Sequence, residues 1–187
     1  MKDVPLGQKM LLKAKLAEHR VKKEFSKLTP QQLNWKPSPE KWSIAQCLEH
    51  LIKADTSYFP AFELITTGRY KMTGWQRWSP FSYVLGPIIA SQLKAKVRFK
   101  LTAPKVFTPT EGDIDPDIVE RFQRHLNILV EYLFIFIDLD MDRPRINSPA
   151  SKFVTYSPRY ALRIIVPHLH RHINQAVRIK ANRDFPK

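Results

Sequence analysis

The residues of this chain best suited to chemistry are its six histidines. At about 100° of rotation per helical residue, His168 and His172 fall within about 40° of one another. They share a face with Ile165, Leu169, Ala176 and Ile179. Two imidazoles one turn apart inside an apolar stripe have two readings. They are core rings, each satisfied by a hydrogen bond, or they are ligands of one divalent ion, on which the i, i+4 spacing lets two ring nitrogens converge. Burying both rings is unfavourable unless something pairs with them. Pro167 would free the Arg163 carbonyl and bend the helix at this point. A third ligand has two sources, because His50 and His125 each lie at the edge of an apolar arc and the helical wheel does not choose between them. His170 falls on the opposite face with Arg163, Arg171, Asn174 and Arg178, where a solvated role is expected, and His19 has no matching signal. Cys47, one turn before His50, reads as a small buried hydrophobe, with a redox or ligand role as the alternative. No general base or nucleophile can be named: Asp55 and Tyr58 lie near the His50 face and are expected to pack or cap, and Glu131 to be solvated.

Four segments with the 3.6-residue apolar period position these rings. The first runs from about Leu6 to Leu28, with Met10, Ala14, Ala17, Val21 and Phe25 on one face. Thr29-Pro30-Gln31-Gln32 then reads as a capped single turn. The second segment opens at Ser43 with Gln46 completing a capping box, and with Trp42 and Cys47 placed to form a hydrophobic staple. It is expected to reach about Thr67, with a kink at Pro60 and an end at Gly68. The third starts at Asp115-Pro116-Asp117 and continues to about Leu139, and the fourth runs from Ser157-Pro158 to about Ala181. Between the second and third lies a long connection, Arg69 to Gly112, in which Ser79-Pro80 could open a shorter helix to about Lys96. No strand alternation and no repeat stands out. Four amphipathic helices, none able to hide its stripe alone, predict an all-α helical bundle in a single domain over residues 1–187. The connection is then a lid or a dimer surface.

Two blocks carry a family resemblance. The stretch from Trp35 to Leu51, WKPSPEKWSIAQCLEHL, resembles the first signature of the DinB-like superfamily: a Trp, a Ser-Pro turn, a Trp-Ser helix start and a His-Leu. The stretch from Pro167 to Gln175, PHLHRHINQ, resembles its second, His-x-x-x-His followed three residues later by Gln. The resemblance implies a DinB-like four-helix bundle, and the long, partly helical connection between helices two and three is not part of its motifs. It implies a divalent-metal triad of His50, His168 and His172, holding zinc or nickel, and leaves His125 an alternative or supporting role. It further implies a metal-dependent hydrolase or a thiol (S-)transferase acting on a small molecule, with a low-molecular-weight thiol among the substrates, and a homodimer. Three imidazoles leave positions free on an ion, the pattern of a catalytic site, where a water or thiolate can bind.

Composition narrows the alternatives. Apolar residues make up 43% and charged residues 26%, the balance of a folded globular domain. Five Gly against 15 Pro argue against a phosphate-cradling glycine loop, and a lone cysteine excludes an internal disulfide or a multi-cysteine metal site. The first twenty residues lack the apolar core of a signal peptide, and Ile128–Leu139 is too short for a membrane span. A cytoplasmic protein with no membrane partner is expected. Lys and Arg number 31 against 17 Asp and Glu, a net charge of +14. Such an excess fits a nucleic-acid binder as an alternative function, yet no helix-turn-helix, finger or RNA-binding motif appears. The charge is then read as solvated faces that steer acidic small molecules. A catalytically inactive scaffold with the same bundle is the third reading.

Overall fold

The computed structural model describes residues 2–79, 85–94 and 105–187. Local sequence rules set most helix ends. Helix α1, Val4–Phe25, starts where the Asp3 carboxylate accepts from the Leu6 N–H and Pro5 occupies the first turn. Its buried face is Met10, Ala14, Ala17, Val21 and Phe25, the anticipated stripe. The short α2, Pro30–Asn34, and α3, Ile44–Thr56, each begin with the expected reciprocal capping box, Thr29 with Gln32 and Ser43 with Gln46.

The expected kink at Pro60 is instead a break. Helix α3 stops at Thr56, and α4, Phe59–Thr66, restarts with Pro60 in its first turn, where a missing N–H leaves no bond unmade. Gly68, at φ +69°, ends α4 as the sequence indicates. Helix α5, Gly74–Trp78, has a third capping box, Thr73 with Gln76. Helix α6 covers Leu85–Lys94, and the expected start at Ser79-Pro80 lies partly outside the described residues. A 3₁₀ turn at Lys105–Phe107 precedes α7, Ile118–Phe136.

One short β-hairpin interrupts the otherwise helical course expected of an all-α chain. Strands β1, Ile146–Ser148, and β2, Ser151–Tyr156, pair antiparallel with Ile146 opposite Tyr156 and an irregularity after Asn147. Three and six residues are too few to show a period of two, and the hairpin buries only its inner end, Ile146, Thr155 and Tyr156. Helix α8, Pro158–Lys180, then continues through Pro167.

The protein is thus mostly helical. Helices α1 and α3 each pack against both α7 and α8, while α6 lies on α8 and β2. The shared core includes Phe25, Leu48, Leu51, Phe62, Phe122, Leu129, Phe136, Leu169 and Ile173. Each such side chain stabilises the fold by about 1.5–3 kcal/mol. Arg159, at the start of α8, pairs with both Asp142 and Asp3, tying the entry of α1 and the approach to the hairpin to that helix. Among the described residues, no helix is long and apolar enough to cross a membrane. The packing of α3 along α8 sets the site.

Candidate metal centre

His50 comes from α3, on the face that meets α8, and the Ser43–Gln46 capping box two turns upstream fixes where that helix begins. The box is itself buried and is held from outside, since the Gln46 amide donates to the Thr110 carbonyl. On α8, Leu169, Ile173 and Ala176 drive the helix into the core and carry His168 and His172 with it. The three rings meet. His50 Nε2 lies 3.2 Å from His168 Nε2. Ring centroids are 5.0 Å apart for His50 and His168, 4.6 Å for His50 and His172, and 4.5 Å for His168 and His172. One nitrogen from each lies within 4.8 Å of the others.

Hydrogen bonding settles one tautomer. His50 Nδ1 stands 2.7 Å from the carbonyl oxygen of Phe107, which can only accept. Nδ1 therefore carries the proton, and Nε2 points its lone pair at the cluster. The Phe107 carbonyl belongs to the end of the long connection, which is anchored nearby: the Thr110 N–H and hydroxyl both donate to the Glu49 carboxylate, at 2.6 and 2.7 Å, and Lys53 pairs with Glu49 at 3.3 Å. Burial works to raise the Glu49 carboxyl, but the bonds from Thr110 and Lys53 outweigh it and hold its pKa below the ordinary value.

Electrostatics favours neutral rings. Burial first, then the neighbouring His50 ring and Arg171, pushes His168 down to about 3. His172 is pushed down to about 2, by burial foremost and then by His168, His50 and Arg171, with the Gln175 side chain opposing weakly. His50 is also lowered by burial, against the Phe107 carbonyl. Trp42 roofs the group, its ring 4.8 Å from that of His50 and stacked 5.7 Å from that of His172. The sequence assigned Trp42 to a staple and missed this role; its place at the helix start was the available signal. Nothing in the side-chain pattern could have announced the Phe107 carbonyl.

The donor set fits a divalent ion. Imidazole nitrogens about 2.0–2.1 Å from a tetrahedral ion stand roughly 3.3–3.5 Å apart, close to the separation of His50 and His168. Among the described residues, His172 Nδ1 is buried without a hydrogen-bond partner. Three neutral imidazoles are the protonation state that coordination requires. Among the described residues, no other group of three His, Cys, Asp or Glu side chains closes on a common point in this way.

Other candidates separate from this centre. His125, on α7, faces Asp55 with Nε2 3.6 Å from Oδ2, stacks on Phe59, and takes no place in the cluster. Asp55 is fully buried, which drives its pKa upward against the pull of His125. Tyr58 hydrogen-bonds Tyr156 across 2.8 Å. Both Asp55 and Tyr58 pack, as expected. Cys47 is buried and its thiol is pushed up to about 12 by desolvation, so it is a core hydrophobe. Glu131 and His19 are exposed. His170 corrects the expectation of a solvated ring. Its face of α8 packs on α1, Arg20 there donates to Asn174 at 2.5 Å, and His170 Nε2 is buried without a partner. A wheel drawn on α8 alone shows its apolar arc but not a polar side covered by another helix.

A mostly helical chain with three convergent histidines on two packed helices defines a class of candidate metalloprotein. The comparisons with known proteins narrow the class: the family model of the DinB superfamily matches residues 14–176. The chain belongs to the DinB superfamily. No curated protein and no solved structure matches it.

Proposed function

We propose that the protein is a metal-dependent enzyme of the DinB superfamily, a hydrolase or thiol transferase acting on a small molecule at His50, His168 and His172. The observation that carries this reading is the meeting of three neutral imidazoles, one of them fixed as a donor by the Phe107 carbonyl, with no fourth His, Cys, Asp or Glu in the group among the described residues. Helices α1, α3, α7 and α8 are read as the four of the family's bundle. Zinc and nickel suit the all-nitrogen donor set. When bound, the ion supplies Lewis acidity, lowering the pKa of a water or thiol that joins it to near neutrality.

The chain's own residues prepare that chemistry. Burial keeps protons off His168 and His172, so the ligands stay neutral near pH 7. The Phe107 carbonyl holds the His50 ring in one orientation and raises the basicity of Nε2. Trp42 covers His50 and His172 and excludes water from that side. A homodimer and a cytoplasmic site of action complete the proposal; the lone unpaired cysteine is consistent with a reducing compartment.

Metal analysis and titration test it. Purified wild-type protein, stripped and reloaded with zinc or nickel, is expected to bind one ion per chain. His50→Ala, His168→Ala and His172→Ala should each lose it while keeping a helical circular dichroism spectrum. Loaded protein should then turn over members of an ester, amide and thiol-transfer panel, and the variants should not. Equal metal content in wild type and variants would overturn the proposal.

A further inference from the structure

A concavity lies at the C-terminal end of α4. The end of that helix, the following loop, α5 and the approach to β1 border a cavity of about 560 Å³ that is open to solvent. Ile65, Tyr70, Met72 and Pro144 give it apolar walls, and Lys71, Arg77 and Arg143 give it three cations and no acid. Neighbouring cations are neutralised: Arg69 pairs with Glu63, and Arg159 with Asp3 and Asp142. Among the described residues, no ion pair or hydrogen bond engages the side-chain cations of Lys71, Arg77 or Arg143, although the Arg143 backbone N–H donates to the Asp140 carboxylate at 3.2 Å. The stretches outside the described residues contain no Asp or Glu that could serve.

The frame around these charges is tied together. The Tyr70 hydroxyl donates to the Arg145 carbonyl at 2.8 Å, and Met72 Sδ accepts from the Arg145 N–H at 3.3 Å. The Gln76 amide, in the same turn as Arg77, donates to Asn147 of β1 at 2.8 Å. Three like charges held around one concavity repel one another, and an anion removes that repulsion. Two guanidinium groups match the oxygens of a phosphate, and the lysine adds a point charge. The apolar walls call for a ligand with a carbon body attached to its anionic head.

We propose that this cavity binds an organic phosphate monoester, its phosphate held by Lys71, Arg77 and Arg143 and its apolar portion lying against Ile65, Met72 and Pro144. The cavity shares no residue with the histidine cluster, so the inference stands apart from the metal reading.

Titration calorimetry on metal-free protein, which keeps phosphate away from any bound ion, provides the test. Phenyl phosphate should bind saturably at low ionic strength and at least tenfold more tightly than inorganic phosphate. The R77Q/R143Q double variant should weaken it at least tenfold, whereas K23Q, which removes a charge from the exposed face of α1, should leave it unchanged. Sedimentation with phosphatidylcholine vesicles, with and without phosphatidic acid, identifies the source of the phosphate. Capture that requires phosphatidic acid, is lost in R77Q/R143Q and is reversed by phenyl phosphate supports the site with a lipid headgroup as its ligand. Saturable phenyl phosphate binding without vesicle capture supports it with a soluble ester. Absence of saturable phenyl phosphate binding, or equal weakening by K23Q and R77Q/R143Q, overturns it.

Discussion

At His168 and His172, the burial that keeps the rings ready for an ion also makes the metal-free protein sensitive to acid. Unfolded, each imidazole takes up a proton near pH 6.5. Folded, they do so only near 3 and 2. Between those limits the unfolded chain binds more protons, so stability rises with pH. The contribution is present in full above about pH 6.5 and is lost as pH falls toward 3, by up to about 1.4 kcal/mol per pH unit for each ring. Urea unfolding of chelated protein at pH 7, 6 and 5 should show this slope, and His168→Gln with His172→Gln should flatten it; identical slopes would contradict the burial argument. The pair was legible from residue type and spacing alone. The third ring was not, because His50 and His125 sit equally well on their own wheels. Only α8 on one side of α3 and Asp55 on the other separate them, and the family signature anticipated that outcome. His170 was misread because a polar side chain between two helices looks, along one of them, like a polar side chain in water.

Among the elements, the end of the long connection has the clearest function. Its 3₁₀ turn holds the His50 tautomer through the Phe107 carbonyl, and Thr110 fastens it to Glu49 on α3. Glu49→Gln weakens that fastening without touching the imidazoles. It is expected to reduce zinc affinity by about tenfold, the lower end for an outer-layer partner of a metal ligand, with the unchanged circular dichroism spectrum as control; unaltered affinity would show that the turn holds His50 without Glu49. The capping boxes at Thr29 and Ser43 were readable because both partners lie within four residues. The hairpin and the helix break at Ser57–Tyr58 were not, since the first is too short to display a period and the second keeps the apolar rhythm of α3 running into α4.

For the whole molecule, the excess of cations is the dominant long-range force. A net charge of +14 on a chain of 187 residues repels itself, and salt screens that repulsion within about 10 Å at 0.1 M. The melting temperature is therefore expected to rise by several degrees between 10 and 200 mM sodium chloride, as read by calorimetry. A fall would mean that local pairs such as Arg159 with Asp142 outweigh the global repulsion. The charge total was plain in the sequence, but its distribution was not: only the fold shows that Lys53 and Lys180 are paired while Lys71, Arg77 and Arg143 are left facing a cavity. Affinity for duplex DNA at low salt would instead favour the nucleic-acid reading.

His50 and His168 are 118 residues apart in the chain, yet their nitrogens nearly touch. An ion shared between them would act as a cross-link, restricting the denatured chain much as a long-range disulfide does. The entropic penalty of such a closure grows only logarithmically, by about 0.6 kcal/mol for each doubling of the enclosed length. Segments inserted between α4 and α7 are therefore thermodynamically inexpensive, and the chain can change what borders the histidine cluster without rebuilding the helices that hold the imidazoles.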